Sequence, residues 1–471
     1  MRDMLFIPRA RFATGLCSQL AVALLGVSLA GAAPIDEQSQ DLPATPGDVA
    51  VNSSPDASGA TGSQQAIAAA HQAFVQRDIA KCLQLLRLAV AEKPNLPPAK
   101  LILADMHLRA EQRGAGRGLL EEVALEDPNH PELYRLFGGL AMVENRWTEG
   151  VMAFEKALSL PAPATWDQGQ TEQFTLSCQR GLAIIAQRRG DWNSAGEVLA
   201  KLVEHSPKDA NLRDSWATAL CHQGQFDKAF EQFQLAKVYN PKMLPPELSL
   251  GIMLVEQGRT RDADTWFARA VAANKGNPDV HFRIAVALLV QDRAKAALSH
   301  AQAAEKAGMT ATQPKMIQGF AQRQLGDLEA AEKTFRGIVA EDSENRSAQI
   351  QLALVLASHE DQRKLQRARD VAQALAADHP KSAAAQATLG WVMHRLGKPE
   401  EANPLLRSIA TAGDADAESL YYLGRFLQSQ ESFNEAKAVA LVVSERIATP
   451  GIMAMRPAIR AWVQKTLSVE K

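Results

Sequence analysis

The sequence predicts an all-α fold, a solenoid of about eleven stacked helix-turn-helix repeats. Three observations carry this. A phrase of 34 residues recurs in register along most of the chain. Every copy places a small residue at two fixed positions. Prolines close many of the copies. The clearest copy runs Ser-Trp-Ala-Thr-Ala-Leu-Cys-His at Ser215 to His222, turns at Gly224, and continues through Phe226, Ala229, Phe233 and Ala236 to Pro241. Apolar residues at that spacing fit two amphipathic helices joined by a tight turn.

Composition agrees. The 471 residues are 46% hydrophobic but only 6% aromatic, which favours packed helices over a β-sandwich. The formal net charge is −2, and no Lys/Arg block tracks a helix with interleaved aromatics, so nucleic acid is not an expected partner.

Residues 1–32 read as a secretory signal peptide. Arg2, Arg9 and Arg11 give a basic start, Leu20 to Leu29 an apolar run, and Ala30-Gly31-Ala32 a small-residue cleavage site. Retention as an anchor is the alternative, and no later run is long and apolar enough to span a bilayer. Cleavage removes a net +2 and leaves about −4. Residues 33–62, rich in Pro, Ser, Asp, Gly and Thr, read as a disordered linker. The mature chain keeps Cys82, Cys178 and Cys221, an odd number at ordinary helical positions, expected as buried thiols.

Repeats fill residues 63–450. They begin near Ser63, Pro97, Pro131, Leu176, Ala210, Leu244, Pro278, Thr312, Arg346, Ala383 and Ala417. An insertion near 161–175, polar and Pro-rich, reads as a loop, and Glu360 to Gln366 reads as a lengthened inner turn. Position 8 is small throughout, as at Ala104, Gly138, Ala217, Gly319 and Gly424. Position 20 is small too, as at Gly150, Ala195, Ala229, Ala331 and Ala436. Small residues at both sites let paired helices approach closely. Position 24 is mostly large (Phe154, Phe233, Phe267, Phe335, Leu406), and prolines 94, 128, 207, 241 and 380 end second helices. The unit at Pro97 has Gly114-Ala-Gly-Arg-Gly for its turn, and the unit at Pro278 has Asp292-Arg-Ala. Residues 451–471 read as a C-terminal capping helix, with Ile459, Trp462, Val463 and Leu467 on one face.

This pattern resembles the tetratricopeptide repeat (TPR) family over roughly residues 63–450. The resemblance implies helix pairs wound into a right-handed superhelix whose first helices line a concave groove. It also implies that positions 2, 5, 9 and 12 of each first helix face that groove. In the C-terminal half these positions form an apolar stripe: Leu248, Ile252, Phe282, Val286, Met316, Phe320, Ile350, Leu354, Trp391 and Tyr421. They are the candidate partner-binding residues, taking a peptide or amphipathic helix. Burial between adjacent first helices is the competing reading. The N-terminal face, around Arg135, Arg180, Gln187, Asp214 and Thr218, is mixed and polar. The Lys/Asn/Arg clamp by which some family members hold acidic C-termini is missing.

No catalytic motif, cofactor site or metal-ligand spacing stands out. Gly114-Ala-Gly-Arg-Gly lies between helices rather than after a strand, and the ten histidines are scattered. The expectation is a non-enzymatic protein-binding scaffold, exported in bacterial style to the periplasm or envelope. Two alternatives stand beside it. One is a glycan- or ligand-binding component of an exopolysaccharide or secretion assembly, using Trp147 and Trp166. The other is a structural spacer.

Overall fold

A computed structural model describes residues 62–310, 312–447 and 457–468, with side chains of 445–447 excepted. The expected signal peptide, almost all of the linker, and residues 448–456 and 469–471 lie outside the described residues. Among the described residues the regular structure is helical throughout, and the chain forms two compact units that divide between Asn240 and Pro241.

The N-terminal unit holds five antiparallel hairpins. They are α1 (Gly62–Val75) with α2 (Ile79–Glu92), α3 (Ala99–Arg109) with α4 (Arg113–Glu126), and α5 (Pro131–Val143) with α6 (Trp147–Ser159). Then come α7 (Gln168–Arg188) with α8 (Trp192–His205) and α9 (Ala210–His222) with α10 (Phe226–Tyr239). The C-terminal unit holds α11 (Pro246–Glu256) with α12 (Thr260–Ala273), α13 (Pro278–Val290) with α14 (Ala294–Lys306), and α15 (Thr312–Gln324) with α16 (Leu328–Glu341). It continues with α17 (Arg346–Leu356) and α18 (Gln362–Asp378), α19 (Ala383–Arg395) and α20 (Pro399–Ser408), then α21 (Ala417–Ser429) and α22 (Phe433–Ile447). A single helix, α23 (Pro457–Ser468), packs on α22.

Every hairpin but α17–α18 turns on one left-handed residue. Gly190, Gly224, Gly258, Gly326 and Gly397 have φ between 69° and 79°, as backbone without a Cβ permits at no cost. In other turns Glu111 (φ 58°) and Asp292 (φ 62°) hold the same place. Asp191 and Asp327 follow their glycines and accept hydrogen bonds from the N–H groups of Ser194 (3.2 Å) and Ala330 (3.1 Å), capping second helices.

Two sequence expectations are corrected here. Gly114–Gly118 is not a turn but the first part of α4, because Glu111 already supplies the left-handed residue at the usual spacing. Gly116 then falls at position 20, where a Cβ would strike Leu108, while Gly114 and Gly118 face open space. The insertion is also not all loop. Asp167 and Gln170 form a reciprocal capping box, so α7 begins at Gln168 and gains extra turns at its start. Gln170 reaches back to Asn95, donating to its carbonyl (3.2 Å) and accepting from its amide (3.1 Å). The lengthening near Glu360 is absorbed similarly, with Asp361 capping a 17-residue α18.

In several hairpins the core is a volume exchange between positions 8 and 24. Gly138, Gly251, Gly319 and Gly390 sit under Phe154, Phe267, Phe335 and Leu406, while the hairpins with Ala285 and Ala353 at position 8 carry Ala301 and Ala372 at position 24, all buried. A Cβ at Gly319 would come within 2.5 Å of the Phe335 ring. Gly424 and Ala440 leave the least side-chain volume, and there Trp462 of α23 lies over Gly424. Trp462 donates its indole N–H to Gln428 Oε1 at 2.9 Å.

These contacts give a paired test by urea denaturation. Gly319→Ala forces Phe335 off its rotamer and costs about 1–3 kcal/mol. Gly337→Ala, on the open side of α16 with nothing near its added Cβ, gains up to about 1 kcal/mol of helix propensity.

Candidate functional site

Apolar residues at positions 5, 9 and 12 of the C-terminal first helices lie against neighbouring first helices, which touch directly (α11 with α13, α13 with α15, α17 with α19, α19 with α21). Leu248, Ile252, Phe282, Val286, Met316, Phe320, Leu354, Trp391 and Tyr421 are therefore buried, and Ile350 alone among the ten is half-buried. An open apolar groove along this stripe is absent. The side chains spend their apolar surface on each other. The Trp391 ring lies tilted 4.9 Å from Tyr422, and the Arg425 guanidinium lies 5.6 Å from the Trp391 ring.

What the sequence did not reveal is a polar knot across three first helices. Arg323 of α15 donates to Gln351 of α17, to Glu418 Oε1 (3.2 Å) and to the Tyr422 hydroxyl (2.7 Å) on α21. Gln351 donates to Glu418 Oε2 at 3.2 Å. The Arg323 and Glu418 side chains are 7% and 6% exposed, so each charge is buried against the other. A second long-range link joins Arg460 of α23 to Asp292 in the turn before α14.

Beside the knot lies a cleft of about 50 Å³. Its lining includes the apolar Phe320, Ile350, Leu354 and Ala387 and the polar Thr388, Asp416, Glu418 and Tyr422. Three of the ten stripe residues thus meet at one opening. This volume holds a few waters or the tip of one side chain, far short of a helix.

The N-terminal first-helix face is built differently. Arg135 and Glu132 form a buried pair at 2.7 Å, and Asp105 pairs with Arg109 at 2.8 Å. Burial pushes the Cys178 thiol up to about 12, so it stays protonated. Cys82, Cys178 and Cys221 are all buried thiols outside any disulfide. Trp147 and Trp166 pack in the cluster around Phe154 and Phe174 rather than standing as open platforms. Asp214 is 3% exposed, and its Oδ2 meets no hydrogen-bond partner. Burial alone lifts its carboxyl to about 7.

Among the described residues no group of three or more His, Cys, Asp or Glu is placed to hold a metal ion, and no helix is long and apolar enough to cross a membrane.

Stacked antiparallel hairpins with small residues at their crossing points define an α-helical repeat protein. Residues 248–312 and 358–417 match the tetratricopeptide repeat family model. No curated protein matches the chain in sequence. Among solved structures, yeast Tom70 is similar at 11% identity over 86% of this chain and 95% of its own, with a TM-score of 0.38. The Cut9–Hcn1 hetero-tetramer of the APC/C is similar at 12% identity over 87% of this chain and 97% of its own, with a TM-score of 0.35. A tetratricopeptide repeat protein from Parabacteroides merdae is similar at 12% identity over 62% of this chain and 99% of its own, also at 0.35. At such scores these likenesses add nothing to the hairpin geometry.

Two outcomes follow for the buried charges. Glu418→Ala, which strands Arg323, costs about 3–5 kcal/mol, and Arg323→Met combined with Glu418→Leu costs less than the two single changes added, read as a double-mutant cycle in urea. The Asp214 carboxyl is raised when folded, so the folded chain holds its proton where the unfolded chain has lost it. Its penalty is absent below about pH 4, grows to about pH 7 and is flat above. Thermal melts should show Asp214→Asn matching the parent near pH 4 and exceeding it at pH 8.

Proposed function

We propose that the chain is an exported, non-enzymatic scaffold of the bacterial cell envelope. Its C-terminal unit receives a protein partner at the cleft beside the Arg323–Glu418 knot. The observation that supports this is the cleft itself, an opening between α15, α17, α19 and α21 beside a stripe of buried side chains. Tetratricopeptide repeats generally mediate protein–protein interaction, and the leader at residues 1–32 supplies the reason for export.

The contact is smaller than the amphipathic helix expected from the apolar stripe. One partner side chain enters and the segment around it crosses the surface, with affinity added by contacts along the array. Ile350, the half-buried member of the stripe, stands at the lip.

A photo-crosslinking residue at Ile350, introduced in the native envelope, should give a discrete protein adduct. Ala384→Trp, a change at a half-buried lining position, should abolish the adduct while leaving the melting temperature within a few degrees. An adduct that survives this plug, or no adduct at all, refutes the reading. Fractionation should find the chain outside the cytoplasm, and a cytoplasmic pool alone overturns the export.

A further inference from the structure

The cleft is lined by two carboxylates and no base. It lies at the N-terminal ends of α17, α19 and α21, represented by Ser347, Ala384 and Ser419. Helix N-termini ordinarily attract anions through their unbonded N–H groups. Here the chain's own acceptors are already in that place. Asn345 takes the Ala348 N–H at 3.0 Å, Asp414 takes the Ala383 N–H at 3.2 Å, and Asp416 takes the Ser419 N–H at 2.7 Å. An anion would have to displace these and meet Asp416 and Glu418 as like charges.

The one nearby cation, Arg323, bonds to Glu418, Gln351 and Tyr422 and does not line the cleft. It offsets one of the carboxylates. Asp416 is exposed to solvent, and Glu418 and Asp414 repel its carboxylate. A cation brought to the cleft relieves that repulsion. The lining also holds Phe320, Ile350, Leu354, Ala384 and Ala387, apolar surface suited to methylenes.

We propose that the cleft is a lysine pocket: the partner's anchor is a lysine side chain, its stem against Phe320 and Leu354 and its ammonium at Asp416 and Glu418. This rests on the scaffold reading above and names the partner's chemistry. A volume of about 50 Å³ suits a compact ammonium tip better than a planar guanidinium or an aromatic ring.

The test uses the full mature chain and three short probes, Ac-Ala-Lys-Ala-NH2 and its norleucine and glutamate counterparts, titrated by NMR with a methyl label on Thr388. The lysine peptide should shift Thr388 with saturation in the millimolar range. The shift should weaken at least fivefold between 50 and 500 mM salt. Asp416→Asn removes the charge while keeping the cap, since Asn and Asp cap helices about equally. It should weaken the lysine peptide at least fivefold with an unchanged melting temperature. Equal binding of the norleucine peptide would make the site merely apolar, and stronger binding of the glutamate peptide would make it an anion site. Either result overturns the proposal, as does silence from all three. If the Ile350 crosslinker still captures a partner in those cases, only the lysine chemistry fails. If capture fails as well, the scaffold reading falls with it.

Discussion

The structure depends on how closely two helices of a hairpin can approach. Position 20 of the second helix nears the backbone of position 8 in the first, as Gly150 does the Gly138 carbonyl. Position 24 closes the space above. A glycine below admits a phenylalanine or leucine; an alanine below can be matched by an alanine. Dense interiors tolerate little change of volume, so size at these positions fixes hairpin geometry, and hairpin geometry fixes how successive first helices meet. Both the knot and the cleft descend from that spacing.

Much of this was legible in the sequence because it is local. Small residues, turn residues and closing prolines repeat every 34 positions, and their meaning depends only on neighbours within one hairpin. Insertions were harder to place. An excess of residues says nothing about whether it loops out or lengthens a helix, and at Asp167 and Asp361 capping chemistry decided for the helix. Gly114 to Gly118 misled for a related reason: glycine richness suggests a turn, but the turn was already provided by Glu111.

The site was only partly legible. Periodicity places Phe320, Ile350 and Leu354 on the first-helix face, yet it cannot tell how tightly adjacent first helices close. Burial of the stripe follows from that closure. The knot joins residues 95 and 99 positions apart, a separation at which no period carries information. Glu418 and Tyr422, one helical turn apart, look in sequence like an ordinary i, i+4 pair.

The last hairpin differs in where its filling volume comes from. Gly424 and Ala440 are both small, and Trp462 arrives from beyond the hairpin to cover the gap. A copy of this hairpin stacked onto the end would have no such ring and would leave a hole, so the final unit cannot serve as a template for growth.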